Sequence, residues 1–304
     1  MPALFEDQHI ALPRVCRHIP LTDDWRETIE SLGHPMSLVH FCLKNEEKDT
    51  KICERFYQEV LDESLAQLPK ETPEAQRLIF EIVLLQMVST QIYTLEQTKH
   101  KNKNRHIAYL GASIQHRLIR VLLHFSPDDH FRLFEEVPTW NQEIAKNMYG
   151  WRTDIVGAAS VVRVIKAILL TKRSCTLWLP TLFEDVFAGI DLCVELPFGG
   201  MYINVKSSNT SLETFDRTWY KINGHENPLR SMSYTAALTN ARYDQLWFPI
   251  KILVGRSKEA PYDTRIMQRH VQIMHQTISE AMDFFTTRMR PTFLDPQETL
   301  SEIL

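Results

Sequence analysis

Asp191, Asn204 and Lys206 are the residues of this 304-residue chain whose types and spacing could do chemistry together. They lie in GIDLCVELPFGGMYINVKSS, residues 189–208, where apolar and polar residues alternate on both sides of a Pro-Phe-Gly-Gly turn. Side chains alternate across a strand, so this pattern predicts a β-hairpin with the three polar groups on one face. Carboxylate and amide oxygens are ligands that Mg²⁺ prefers, and a lysine stabilises negative charge. The stretch therefore predicts a site that holds a divalent cation against a phosphate.

The turn sets the predicted register of this hairpin. With Phe198 and Gly199 as the two loop residues, Asp191 lies opposite Lys206. The apolar side chains of both strands then share one face and the polar side chains share the other. A slip of one residue would mix the two faces, so the pattern favours this register.

The motif resembles that of the PD-(D/E)xK nuclease superfamily: Asp191, then Asn204-Val205-Lys206 on the next strand. The flanking FEDVFAGIDL and VKSS are similar to that family's sequences as well. The resemblance implies that Asp191 is a metal-bridging carboxylate and that Asn204 and the backbone carbonyl of Val205 are further metal ligands. It implies that Lys206 attends the attacking water. The implied cofactor is Mg²⁺, with Mn²⁺ as a substitute.

Asn204 departs from the family pattern, which usually has a second acid at this position. A neutral amide removes one negative charge and should weaken metal binding. Glu184 or Asp185, just before the first strand, could supply an extra acidic ligand, and the sequence does not choose between them. Glu195 lies about 13 Å along the strand from Asp191, too far for the same metal. The simplest alternative is a cross-strand ion pair between Asp191 and Lys206 on a solvated sheet face.

The remaining periodicity predicts an α/β (mixed α+β) fold. Residues 1–22 have no periodicity and suggest an arm or a loop, and helix follows helix from about residue 24 to residue 149. A boundary near 150 separates a helical domain, 1–150, from a nuclease-like domain, 151–304. For the second domain the resemblance implies a restriction-endonuclease-like αβββαβ core, followed by a long C-terminal helix. We predict helices at 153–173, 211–222 and 261–291, and strands at 175–180, 190–196, 201–207 and 245–255. Pro249 suggests a bulge or an edge position for the last strand.

Charge and composition limit the class of partner. The net charge of −4 argues against a surface that is basic throughout, but it allows a local basic patch. The best such segment, residues 97–122, has six basic residues and no acid: Lys99, Lys101, Lys103, Arg105, Arg117 and Arg120. Arg217 and Lys221 follow the hairpin. These eight side chains are the predicted nucleic-acid contacts.

Five cysteines without a Cys-x-x-Cys pair indicate a reducing compartment. No signal peptide and no membrane-spanning segment is expected, so the expected location is cytoplasmic. The expected function is a metal-dependent endonuclease that hydrolyses DNA. The alternative is a catalytically degenerate nuclease fold that binds a protein partner through its helical domain. A homodimer and an unrelated α+β fold stay open.

Overall fold

The structure is a computed structural model that describes residues 9–13, 21, 23–44, 50–66, 68–70, 72–95, 103–197, 199–219 and 246–288. Within these residues the fold is mixed α/β, with many helices and one six-stranded mixed sheet. No helix among them is long and apolar enough to cross a membrane. The residue contacts divide the chain into a helical unit, Val15–Ala159, and a sheet unit, Met1–Arg14 with Ser160–Leu304.

The helical unit is built from short and long helices, as the periodicity predicts. They are α1 (Asp24–Ser31), α2 (Met36–Lys44), α3 (Thr50–Ser64), α4 (Glu74–Leu95), α5 (Lys103–His124), α6 (Pro127–Glu135), α7 (Gln142–Ala145) and the start of α8 (Met148–Leu170). Helix α4 begins directly after Pro73, and its residues Leu78–Leu85 are all buried. This helix is apolar on all sides because it forms the centre of the unit.

The sheet unit continues α8 with six strands and a last helix. The strands are β1 (Ile10–Ala11), β2 (Thr176–Leu179), β3 (Leu192–Leu196), β4 (Gly199–Ser208), β5 (Phe215–Trp219) and β6 (Leu246–Gly255), and the helix is α9 (Gln268–Arg288). Their order in the sheet is β1-β2-β3-β4-β6-β5. Among the described strand pairs, β4–β6 is parallel and the others are antiparallel. Helix α9 covers one sheet face, where Phe248 of β6 stacks on Phe285 with 5.2 Å between ring centroids.

Three predictions about these elements are wrong. Residues 215–219 form a strand rather than part of a helix, because Phe215, Arg217 and Trp219 alternate toward α9 while the residues between them are exposed. Strand β6 is internal, but Pro249 falls just outside its ladder with β5, which begins at Ile250. The predicted N-terminal arm contains β1, which pairs with β2.

The predicted hairpin register is also wrong, by two residues. Leu196 pairs with Gly199, so the two loop positions are 197 and 198 rather than 198 and 199. Gly199 belongs to the strand because its parallel pairing with Leu246 of β6 begins there. A side chain at Gly199 would collide with the Leu246 carbonyl oxygen and the Phe285 ring. A shift of two keeps every side chain on its predicted face, but it moves Asp191 from Lys206 to Asn204.

Candidate metal and phosphate site

The carboxylate of Asp191 is held by the strand beside it. The backbone amide of Asp191 donates to the carbonyl of Ile203 at 2.9 Å, which extends the β3–β4 ladder by one residue. Its Oδ2 accepts hydrogen bonds from the backbone N–H of Val205 at 2.6 Å and from Nδ2 of Asn204 at 3.1 Å. The structure thus brings Asp191 and two of its predicted companions into direct contact.

The orientation of the Asn204 amide is fixed from a second side. Its Nδ2 also donates to the carbonyl of Gly189 at 2.5 Å. Gly189 ends a π-helical turn, Glu184–Ala188, in the left-handed conformation, with φ 68° and ψ 31°, which favours glycine. Nδ2 is used by these two acceptors, whereas the other amide atom, Oδ1, has no hydrogen-bond partner among the described residues. Asn204 is 1% exposed, so this bare oxygen is buried.

Burial raises the pKa of Asp191 to about 7. The charge of Asp185 raises the pKa further, whereas the charge of Lys206 and the hydrogen bond from Val205 lower it. Asp185 and Lys206 therefore both act electrostatically on Asp191. Desolvation and the acidic neighbour prevail over the lysine, which is exposed.

Glu184 is occupied by other partners. One of its oxygens, Oε2, accepts from the backbone N–H and the hydroxyl of Thr181, at 2.9 and 3.0 Å. The same oxygen lies 2.7 Å from Nε2 of His9, which precedes β1. Both the His9 and the Glu184 side chains are almost fully buried. Of the two acids that the sequence left open, Glu184 braces the turn, and Asp185 is the one that acts on Asp191.

The face around the site is not a solvated polar surface, contrary to the alternative of a simple Asp191–Lys206 ion pair on such a surface. Cys193 and Tyr202 are buried under Ala188, Ile190 and Trp247. Burial, with the charges of Glu184 and Asp185, raises the pKa of the Cys193 thiol well above its ordinary value. The thiol is therefore neutral and apolar in character, and only the ends of the strands near Lys206 open to solvent.

Two residues near the site are not among those that the sequence predicts. Lys251 of β6 pairs with Asn204 and is half-buried. Its signal was a single lysine in the apolar stretch LWFPIKILVG. His9 had no local signal, because it meets Glu184 from 175 residues away.

The predicted nucleic-acid contacts divide into two groups. Lys99, Lys101 and Lys221 lie outside the described residues, and only the backbone of Lys103 and Arg105 is described, at the start of α5. The other three arginines bind carboxylates of the chain itself: Arg117 pairs with Glu81, Arg120 with Glu74, and Arg217 with Glu280.

The oxygen donors around Asp191 fit a hard cation better than a soft one. In the part of the chain that the structure describes, no group of three or more His, Cys, Asp or Glu side chains is placed to hold a metal ion. A site here would therefore need the Asn204 amide oxygen and the Val205 carbonyl besides its carboxylates. In an extended strand the N–H and C=O of one residue point to the same side, so the Val205 carbonyl faces the same side as its bond to Asp191.

Comparison of the chain with family models, with curated proteins and with solved structures finds no match.

Proposed function

We propose that this chain is a metal-dependent nuclease that hydrolyses DNA phosphodiesters. One observation carries the proposal: Asp191 is fixed by Asn204 and Val205 and lies within the electrostatic influence of Lys206. A buried acid, a bare amide oxygen and a lysine at the open end of one hairpin form an arrangement that phosphodiester cleavage can use.

The strand arrangement supports the proposal. A long helix, α8, precedes three antiparallel strands, β2, β3 and β4, and β6 then joins β4 in parallel. This order agrees with the αβββαβ core that the motif implies, except that β5 occupies residues where a helix was predicted. The resemblance places its reactive groups on the second and third of those three strands, where Asp191, Asn204 and Lys206 lie.

The ligands for Mg²⁺ would be Asp191, the Oδ1 atom of Asn204, the carbonyl of Val205 and Asp185. Glu184 is the weaker candidate, because three donors already converge on its Oε2. When bound, Mg²⁺ would screen the charge of the phosphate and lower the pKa of a bound water. It would also satisfy the buried Asn204 oxygen, which otherwise costs about 1–3 kcal/mol.

Within this arrangement Lys206 stabilises the negative charge that develops on the phosphate. Its exposed ammonium can approach a substrate from solvent. Val205 and Asn204 orient the Asp191 carboxylate through Oδ2, which leaves Oδ1 for binding. Mg²⁺ binding would be favoured at neutral and higher pH, because the Asp191 carboxyl must lose its proton to become a ligand.

The test is cleavage of supercoiled plasmid, linear duplex DNA and single-stranded RNA, each with Mg²⁺, with Mn²⁺ and with EDTA. The intact chain is compared with Asp191→Ala, Lys206→Ala and Glu195→Ala. We expect metal-dependent cutting of DNA that falls at least about 100-fold in the first two variants and is unchanged in Glu195→Ala. Cutting that survives in Lys206→Ala would show that the hairpin is not the active site.

A second function, a nuclease fold that binds nucleic acid or a protein partner without cleaving, is favoured by the Asn204 amide. Its Nδ2 ties the Gly189 carbonyl to Asp191, so the two groups satisfy each other without a metal. This function predicts that calorimetry with Mn²⁺ detects no site that depends on Asp191. A tight site that is lost in Asp191→Ala would exclude it.

A further inference from the structure

Lys251 lies in the same row of the sheet as the proposed site. The ladders place Asn204 of β4 beside Lys251 of β6, and Lys251 beside Thr218 of β5. Asp191 continues this row on the other side through its bond to Asn204. Adjacent strands lie about 4.8 Å apart, so Lys251 begins about 10 Å from Asp191 across the sheet.

The side chain of Lys251 projects from the face that carries Lys206. Residues paired directly across neighbouring strands point to the same face, and alternate residues along one strand do likewise. Lys251 therefore shares its face with Asn204 and, two residues along β4, with Lys206. The residues on either side of it, Ile250 and Ile252, are fully buried on the face that α9 covers.

The Lys251 side chain is half-buried. It has no ion pair and no hydrogen bond among the residues that the structure describes, and the same is true of Lys206. The nearest acid of this face on β5 is Asp216, which pairs with Leu253 one row further along and forms no ion pair with either lysine within the described ranges. By contrast, Arg117, Arg120 and Arg217 all bind carboxylates.

We infer that Lys251 holds a phosphate of the DNA backbone beside the Asp191–Asn204 pair. A cation that is partly desolvated and has no protein counter-ion is stabilised when an anionic ligand binds to it. The two lysines lie on adjacent strands, diagonal to each other and about 7–8 Å apart. At this distance each lysine can bind a different phosphate. Lys206 serves the reacting phosphate, and Lys251 binds and positions the strand that carries it. The inference rests on the proposed function.

The experiment measures the affinity of the full chain for a fluorescent 20-base-pair DNA duplex in Ca²⁺ over a series of NaCl concentrations. Lys251→Met removes the charge and keeps most of the apolar stem. We expect Kd to rise about 5- to 10-fold for any sequence, and the slope of log Kd against log salt to fall by about 1. Mn²⁺ affinity should not change, because Lys251 is not a ligand.

Lys258→Ala is the matched control. Lys258 is an exposed lysine on the loop after β6, and its loss should leave Kd and the salt slope unchanged. Lys251→Arg should restore most of the affinity.

An unchanged Kd in Lys251→Met, or an equal loss in Lys258→Ala, overturns the inference. If the intact chain still cleaves DNA in that case, only the inference fails; if it neither binds nor cleaves DNA, the proposed function fails with it. Binding of an RNA duplex alone would also overturn the inference.

Discussion

Two largely desolvated carboxylates, Glu81 of the helical unit and Asp191 of the sheet unit, have opposite surroundings. Glu81 is 5% exposed and accepts from Arg77 at 3.2 Å and from Arg117 at 2.6 Å. Arg117 also bonds Ser113 and Gln58, so the network joins α3, α4 and α5. Asp191 accepts from one backbone amide and one side-chain amide, and within the described parts of the chain it forms no ion pair.

The difference separates charges that hold the fold from charges that are available to a ligand. A buried acid with its cations in place contributes to the integrity of the helical unit. A buried acid that only neutral groups hold costs free energy in its charged form, and its pKa rises in consequence. Arg117 looks like a nucleic-acid contact in the sequence, but its bonds to Glu81, Ser113 and Gln58 assign it to the first class.

The largest expected effect comes from removing Glu81, the carboxylate that is paired with cations. Glu81→Ala leaves the guanidinium of Arg117 without its charge partner in a mostly buried position. We expect a loss of about 3–5 kcal/mol in the free energy of unfolding, measured with urea. Glu59→Ala removes an exposed acid of the Arg55–Glu59 pair on α3 and should change little. Equal losses in the two variants would show that burial of the pair does not matter.

The second-largest expected effect is a gain in the free energy of unfolding, on replacement of Asp191. The pKa of Asp191 is about 7 in the folded chain and about 3.9 when unfolded, so the folded state binds the extra proton between these values. The contribution of Asp191 to stability therefore decreases as the pH rises from about 4 to above 7. Asp191→Asn should stabilise the metal-free chain by roughly 2–3 kcal/mol at pH 8 and by much less at pH 4.

Asp154 of α8 needs a control in the same experiment. Burial raises its pKa to about 7 as well, although Gln86 and Gln115 donate to it. The pH dependence of the intact chain contains both acids, so the Asp191 contribution is the difference between Asp191→Asn and the intact chain in EDTA. Destabilisation by Asp191→Asn at pH 8 would contradict the assignment.

A smaller effect tests whether Glu184 braces the turn or binds metal. His9→Ala removes the donor to Glu184, and we expect about 1.5–2 kcal/mol of lost stability, because a hydrogen bond to a charged group is removed. His9→Gln should restore most of it, since its Nε2 can occupy the position of the imidazole Nε2. Ile10→Ala, on β1 but half-exposed, is the control.

Mn²⁺ affinity decides between the two roles of Glu184. It should be unchanged in His9→Ala and should fall strongly in Asp185→Ala. The reverse outcome would make Glu184 the ligand.

The smallest effect concerns Lys172, an exposed lysine that forms no ion pair with the residues that the structure describes. It follows α8 with φ 57°, a left-handed conformation that is unfavourable for a residue with a side chain. Lys172→Gly should stabilise the chain by about 0.5–1 kcal/mol in thermal unfolding and leave DNA affinity unchanged. A loss of DNA affinity would show that exposed lysines in general, rather than those of the site row, bind the duplex.

The hairpin and the faces of its strands were predictable, because the period of two survives a shift by two residues. The register was not predictable, because Gly199 is recruited by the parallel pairing with Leu246, a partner distant in sequence. Similarly, Phe215, Arg217 and Trp219 belong to a strand because β6 and α9 lie beside them. Local sequence does not contain these contacts.

Within the site, the residue types indicated Asp191, Asn204 and Lys206, and the structure places them together. The sequence left Glu184 and Asp185 equal, since only their partners distinguish them. Lys251 joins the site through strand pairing, and His9 reaches Glu184 from 175 residues away, so local sequence could not place either of them.

The bond between His9 and Glu184 has a consequence for synthesis of the chain. The histidine leaves the ribosome 175 residues before its partner, which at 5–20 residues per second is a delay of roughly 9–35 s. Through this interval β1 has no strand to pair with, while the helices of the helical unit can already form from local contacts. The turn that carries Asp185 is synthesised only at the end of this interval, when His9 is already available to brace it through Glu184.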